Sequence, residues 1–522
     1  VRLALDFNQI QLHPAVYRVY DFLARWVPPV LRWTALVLLC LFVGYSIALG
    51  GTFVSIFWCA VACMVLLPLI ITQQNQMLRE GTVYFCLFYI MILPLGTKLI
   101  SQSLYGPPQV LLVVTGLLGL PAFLRYCMQS RLLTWSMVAF VLFVVFAGLS
   151  TWLGRSRTMP ALNQGFNDLK VLMMITCGFL AVWPARAERI IDRFARYYWM
   201  FAAAVVAFEW GAPSIYFTIF KHDLTSRDPT HLFPSRANGP TDFPVYLAAT
   251  SSFFMIYCFS RMLTSKNWRP WLFATAGNAM VLLFSVQRQA LLGAILACFL
   301  VMLLSRPQVL IRRAVMALFG LAVVGSVIGS VYIDYVMRDL NTYGSQRTTT
   351  ATAPRAVIFQ TSVDIARQYF PLGAGLGTYG GSGAFKYDDS LYYESGFNRL
   401  PWFREANYLM DTYWPNPIGE TGLLGAGSLL LCYVLMTLFT ILKAFKAVPE
   451  TRMYWLLCAG TNLSVLQLTA THPAYTEPRL FLLTAITLAW AATREREARL
   501  KAQPEVASAP PSGRLRPMGS MR

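Results

Sequence analysis

Fourteen apolar runs, separated mostly by short polar stretches, constrain this chain more than any other feature of it. They lie near residues 33–49, 52–72, 82–100, 109–124, 132–153, 171–184, 197–213, 243–260, 271–286, 289–305, 314–332, 418–442, 453–470 and 480–493. A segment of about 20 apolar residues spans a bilayer as a helix, and in lipid the helix satisfies every backbone polar group from within. The expected fold is all-α: a polytopic transmembrane helical bundle of about twelve to fourteen spans with a large helical extracytoplasmic loop. With 56% hydrophobic and only 13% charged residues, the chain is not a soluble enzyme, a disordered chain or a disulfide-stapled secreted fold.

The net charge of +19 is no argument for nucleic-acid binding, because in a membrane protein the location of charge outweighs its sum. With the N-terminus inside and the spans alternating, most Lys and Arg fall in the cytoplasmic segments. These include Arg125 and Arg131, Arg186 to Arg196, Arg261 to Arg269, Lys443 to Arg452, and the C-terminal tail. Both termini are therefore expected in the cytoplasm. Residues 1–32 read as a basic amphipathic segment on the inner leaflet, 33–332 as the bundle with an outer loop at 214–242, and 333–417 as a large periplasmic loop. Residues 418–493 read as C-terminal transmembrane helices and 494–522 as a disordered cytoplasmic tail. The ten cysteines sit in apolar runs or, for Cys127, just past the end of one, and His13, His222, His231 and His472 lack metal-ligand spacing, so no metal centre is expected.

Long loops in compact proteins are usually functional. The loop at 333–417 is rich in aromatic rings, among them Tyr379, Tyr387, Tyr392, Tyr393, Phe397, Trp402, Tyr413 and Trp414. Rings with Asp, Asn and Arg around them suit sugars; they equally suit a helical subdomain that only packs on the bundle. Arg288 lies between two apolar runs with no intervening loop. An arginine at membrane depth costs about 2.5–3.5 kcal/mol and marks function, and its planar fork suits phosphate. The other reading is a tight turn at the outer surface with Arg288 snorkelling to water.

Four segments, Ser285–Gly293, Arg236–Pro244, Arg355 with Pro371–Thr378, and Glu420–Gly425, together resemble the O-antigen ligase and O-antigen polymerase superfamily. Ser285-Val-Gln-Arg-Gln-Ala-Leu-Leu-Gly293 is similar to its SRQALLG helix opening, with Gln287 in place of the usual Ser. Arg236, Gly239 and Pro244 follow its R-x-x-G-x-x-x-x-P pattern. Arg355 followed by Pro371-Leu-Gly-Ala-Gly-Leu-Gly-Thr378, and Glu420-Thr-Gly-Leu-Leu-Gly425, match two further pieces in the right order. The match covers roughly residues 230–430; the first 200 residues are similar only in being apolar spans.

The resemblance implies a metal-independent, cofactor-free glycosyltransferase of the bacterial inner membrane that acts at the periplasmic face on a glycan carried by polyprenyl diphosphate. Arg236, Arg288 and Arg355 match the diphosphate-binding positions, where departure of the carrier needs positive charge. Ligases carry a histidine nine residues before the glutamate; here that place holds Asp411, which points to a repeat-unit polymerase with Asp411 as general base. Asp411 is equally suited to capping a helix or pairing with an arginine. Glu420, Trp414 and Tyr413 are possible supporting residues, Glu420 reading as structural at the head of a helix. Gly373, Gly375 and Gly377 read as close backbone packing or positive-φ turns rather than a phosphate loop. Glu209 reads as a partner for one of the arginines.

The implied partners are the lipid-linked oligosaccharide, the bilayer, and a flippase and chain-length regulator of the same pathway. A ligase acting on lipid A-core or protein, and a transporter of an anionic lipid-linked glycan, stand as alternatives.

Overall fold

The computed structural model describes residues 76–91, 93, 106–180, 185–220, 234–305, 354–400, 402–403, 408–410 and 412–502. Among them are helices and no strand. The bundle comprises α1 (Gln76–Met91), α2 (Gly106–Cys127), α3 (Arg131–Leu153), α4 (Thr158–Leu180), α5 (Ala185–Gly211) and α6 (Pro213–Phe220). It continues with α7 (Pro244–Thr264), α8 (Arg269–Phe284) and α9 (Arg288–Ser305). Then come α10 (Pro354–Gln368), α11 (Ser382–Tyr387), α12 (Ser390–Glu394), α13 (Pro415–Lys446), α14 (Pro449–Leu468) and α15 (Pro478–Ala502). Proline opens α6, α7, α10, α13, α14 and α15, where its fixed φ is suitable and its missing N–H costs nothing. The apolar runs at 33–49, 52–72 and 314–332, and residues 1–32, lie outside the described residues.

Four helices are long and apolar enough to cross a membrane: Pro108–Cys127, Arg131–Leu153, Arg288–Ser305 and Pro415–Lys446. The pair Ala187–Gly211 and Pro213–Phe220, bent by 115°, makes a fifth if taken as one span. The other described helices are too short, as α1 and α8 are at 16 residues each, or too polar to qualify.

α3 shows the inverted pattern of a lipid-facing helix. Its small and polar residues Ser136, Ala139, Ala147 and Ser150 are buried, while Trp135, Val138, Leu142, Val145, Leu149 and Trp152 are exposed. Small residues let membrane helices approach, and buried hydroxyls bridge them. The Ser136 hydroxyl donates to the Cys432 carbonyl of α13 at 2.8 Å, along the most extensive packing between helices. α2 packs as closely on α4: a Cβ at Gly119 would lie 1.8 Å from the Thr176 carbonyl oxygen.

One end of the bundle is tied by ion pairs. Glu188 of α5 receives Arg261 of α7 at 2.9 Å and Arg494 of α15 at 2.7 Å. Lys443 of α13 reaches Glu495 of α15 at 2.9 Å. This basic end is opposite the end where α5, α8 and α14 finish and α7, α9, α13 and α15 begin. α15 corrects the tail boundary at 494: it runs on to Ala502, because its charged last turns pair with one another (Arg494 with Glu497 at 2.7 Å) and with α13.

α10 and the described residues between it and α13 form a cap on the second end. Its own small core holds Ile358, Ile365, Tyr379, Tyr392, Phe397 and Trp402, with Tyr379 and Tyr392 stacked at 4.8 Å. Those rings therefore pack the cap, whereas Phe370, Phe385, Tyr387 and Tyr393 stay exposed.

Candidate functional site

The cap end gathers the segments singled out in the sequence. The turn carrying Arg236 is held on three sides. Glu209, at the last turn of α5, accepts the Asn238 N–H at 3.0 Å, the Gly239 N–H at 2.8 Å and the Asn238 side-chain amide at 3.0 Å. The Tyr216 hydroxyl donates to the Gly239 carbonyl at 2.6 Å. The Ala237 N–H donates to the Phe284 carbonyl at the end of α8, at 3.0 Å. Glu209 thus binds the backbone beside an arginine rather than a guanidinium, which corrects the pairing expected for it.

The bond from Ala237 to Phe284 brings the Arg236 turn to the start of α9. Between α8 and α9 the chain reverses in a tight turn, with Val286 at φ 52° and the Ser285 hydroxyl accepting the Gln287 N–H at 3.3 Å. Arg288 is the first residue of α9, half-buried. Arg288 therefore stands at a helix start at the end of the bundle and not midway along a helix, and Ser285 and Val286 of its turn are buried. A cation there adds to the positive end of the helix dipole instead of offsetting it, so the electrostatics favour an anion.

α9 packs along α14, where the Gln467 amide donates to Gln289 at 2.5 Å. Past the end of α14, His472 lies near Arg355, the second residue of α10. Burial first, and the Arg355 guanidinium second, lower the His472 imidazole from 6.5 to about 4. No sequence motif selected His472; its place beside Arg355 comes from the packing of α10 and the α14–α15 turn around α13. Arg479, at the start of α15, was missed as well. It pairs with Asp242 at 2.9 Å and Glu477 at 2.7 Å, and its guanidinium stacks 3.8 Å from the Tyr246 ring. Burial raises the Glu477 carboxyl, but Arg479 outweighs it and the net shift is downward.

The supporting residues divide. Tyr413 is buried, its hydroxyl shared with Tyr433 at 2.7 Å, so it belongs to the core. Trp414 is half-buried and donates its indole N–H to Thr469 at 3.1 Å. Glu420 is fully buried and accepts the Tyr379 N–H at 3.1 Å, a clamp between α13 and the cap. Asp411 lies outside the described residues.

The glycine run threads the cap onto α13. Ala374 N–H donates to the Gly419 carbonyl and Gly375 N–H to the Glu420 carbonyl, each at 2.9 Å. Gly373 and Gly422 have φ of 74° and 68°, and a Cβ on Gly373 would stand 2.5 Å from the Gly422 nitrogen. Glycine is needed here because two backbones touch. Arg155 forks onto Glu394, one of its two bonds being 2.6 Å long, and Arg157 pairs with Asp388 at 3.2 Å. Both are therefore tethers of the cap.

Among the described residues no group of His, Cys, Asp or Glu is placed to hold a metal ion. The chain matches no model of a known protein family, and none of the curated proteins matches it.

Proposed function

We propose that this chain is a metal-independent membrane glycosyltransferase that polymerises oligosaccharide repeat units linked to polyprenyl diphosphate, at the extracytoplasmic face of a bacterial inner membrane. One observation carries the reading. The backbone bond from Ala237 to Phe284 joins the Arg236 turn to the helix opened by Arg288, at the same end of the bundle as Arg355 and His472. Guanidinium groups are the side chains best suited to a diphosphate, which they meet with two parallel N–H bonds. In the reaction a terminal hydroxyl of one unit attacks the anomeric carbon of the other, and polyprenyl diphosphate leaves. Negative charge grows on the departing oxygen, and arginines fixed on helix starts stabilise it without reorganising. The positive-inside rule puts the basic end in the cytoplasm and the cap outside.

The test is purified full-length protein in nanodiscs, given a polyprenyl-diphosphate oligosaccharide and no nucleotide sugar. Growth of a ladder of repeats is the expected result. Single transfer to a lipid A-core acceptor makes it a ligase, and absence of any transfer removes the enzymatic reading.

A further inference from the structure

We propose that α6 lies in the outer interface of the bilayer, with lipid chains against Ile215 and Ile219, and holds the Arg236 turn at headgroup depth. The lipid seat is read from α5 and α6 alone. Only the ligand of the turn, a lipid-linked diphosphate, rests on the glycosyltransferase reading above.

α5 and α6 are separated by Ala212 alone and bent by 115°. A helix that leaves a span somewhat past a right angle runs along the membrane surface instead of across it. The eight residues of α6 reach about 12 Å, far too short to cross a bilayer. Five of the eight are Ile, Tyr or Phe, and none is charged.

Two faces of α6 have different surroundings. Tyr216 is buried, its ring packing on Phe208 at 6.1 Å and Phe220 at 4.7 Å. A second face carries Ile215 and Ile219, one turn apart, which are 54% and 44% exposed. Thr218, also exposed, turns its hydroxyl onto the Ser214 carbonyl at 2.7 Å, so that group needs no water. This face continues a stripe of exposed residues on α5, namely Tyr197, Met200, Phe201 and Phe208, at helical spacing. The sequence is free of charge from Trp210 to Phe220. A bare apolar face that prolongs the outer side of a helix and then bends across its end fits acyl chains just below the headgroups.

The buried face reaches the site. The Tyr216 hydroxyl donates to the Gly239 carbonyl at 2.6 Å, and Glu209 of α5 accepts the Gly239 N–H at 2.8 Å. α6 and the last turn of α5 thus grip the turn that opens three residues earlier at Arg236. A polyprenyl carrier keeps its chain among the acyl chains, so its diphosphate lies at the headgroups. That is the depth at which a lipid-seated α6 holds the turn.

Full-length protein with Ile219→Cys, labelled with bimane, is placed in nanodiscs whose phospholipids carry bromine either just below the headgroup or near the chain ends. Ile215→Cys gives a second reading of the same face. Leu142→Cys, midway along the exposed side of α3, is the deep reference, and Ser395→Cys, on the cap, is the aqueous one. Wild type taken through the same labelling gives the background from native cysteines. Both α6 labels should lose more fluorescence to the shallow bromines than to the deep ones. The order should reverse at Leu142→Cys, with little loss to either at Ser395→Cys. Stronger loss to the deep bromines makes α6 a re-entrant segment and overturns the interfacial seat. A loss as small as at Ser395→Cys means that water, another part of the chain or a second copy covers the face, and overturns it too. Tyr216→Phe removes the grip on Gly239 and should weaken binding of the lipid diphosphate with the quenching unchanged; wild-type affinity there would uncouple the turn from α6. Quenching needs no turnover, so a protein that transfers no glycan overturns the glycosyltransferase reading and not the seat of α6.

Discussion

Glu209 and Asn238 meet through three bonds, the carboxylate of one receiving both the backbone N–H and the side-chain amide of the other at 3.0–3.1 Å. The acid stands on the last turn of a helix and the asparagine two residues beyond Arg236. Position of the arginine is thus set from a helix that shares no motif with it.

Glu209→Gln should loosen that turn. The variant presents an N–H pair where an oxygen had accepted the Gly239 N–H at 2.8 Å. Hydrogen bonds to charged groups contribute about 1.5–3 kcal/mol each, so a lower melting temperature and a weakened hold on a lipid diphosphate are both expected. Donor affinity measured by calorimetry should fall along with the melting temperature. Unchanged affinity would mean that Arg236 does not depend on this clamp.

Arg288→Ala should abolish polymer formation while the protein still inserts and accumulates, because the residue opens α9 at the bundle's end and is not among that helix's buried residues. Arg288→Lys should recover little, since a point charge does not reproduce a bidentate fork. Gel ladders from both variants decide it. A lysine variant with full activity would reduce Arg288 to a charge anchor.

The helices were legible because apolar periodicity and proline openings are local signals, and α3 and α9 start within a residue of the apolar runs expected there. The polar starts of α4 and the charged end of α15 were not. Asn163 to Lys170 and Arg494 to Lys501 are helical through partners on other elements, such as Asn416, Ser382 and Lys443. The same limit applies to the site. Arg236, Arg288 and Arg355 could be named from motifs, but His472 and Arg479 acquire meaning only from what packs against them. The aromatic loop was open to two readings, and Tyr379 and Tyr392 take the packing one, facing each other in the core of the cap.

Gly422→Ala should be far more damaging than Gly396→Ala, although both glycines have positive φ. At Gly422 φ is 68° and a Cβ would lie 2.6 Å from the Pro371 carbonyl oxygen, whereas at Gly396 φ is 81° and the space is open. A left-handed alanine costs roughly 1–2 kcal/mol, so Gly396→Ala should lower the melting temperature modestly. Gly422→Ala adds a clash between the cap and α13 and should release the cap to proteolysis. Equal melting temperatures for the two would show that the cap does not depend on this backbone contact.

Acid should destabilise the protein through His472. Its imidazole sits between α14 and α15, half-buried, and titrates at about 4 in the folded chain against 6.5 ordinarily, through burial first and Arg355 second. As pH falls through 6.5 the unfolded chain takes up a proton that the folded chain refuses. The stability owed to the neutral imidazole is therefore complete above that pH and is lost progressively as pH falls towards 4. Glu394, held low by its hydrogen bonds to Arg155, keeps its charge in the folded state until below its ordinary 4.5, so it contributes little to the slope above that value. Melting temperatures of wild type and His472→Gln in nanodiscs, recorded from pH 7.5 down to about 4.5, should diverge in slope, the wild type falling more steeply. The glutamine variant keeps a polar side chain in the turn but has nothing to protonate, and a donor-binding curve that stays flat over the same range would show that Arg355 retains its place. If both proteins lose stability in parallel, the acid sensitivity belongs to carboxylates held low by an arginine, such as Glu477 beside Arg479, and not to the histidine beside Arg355.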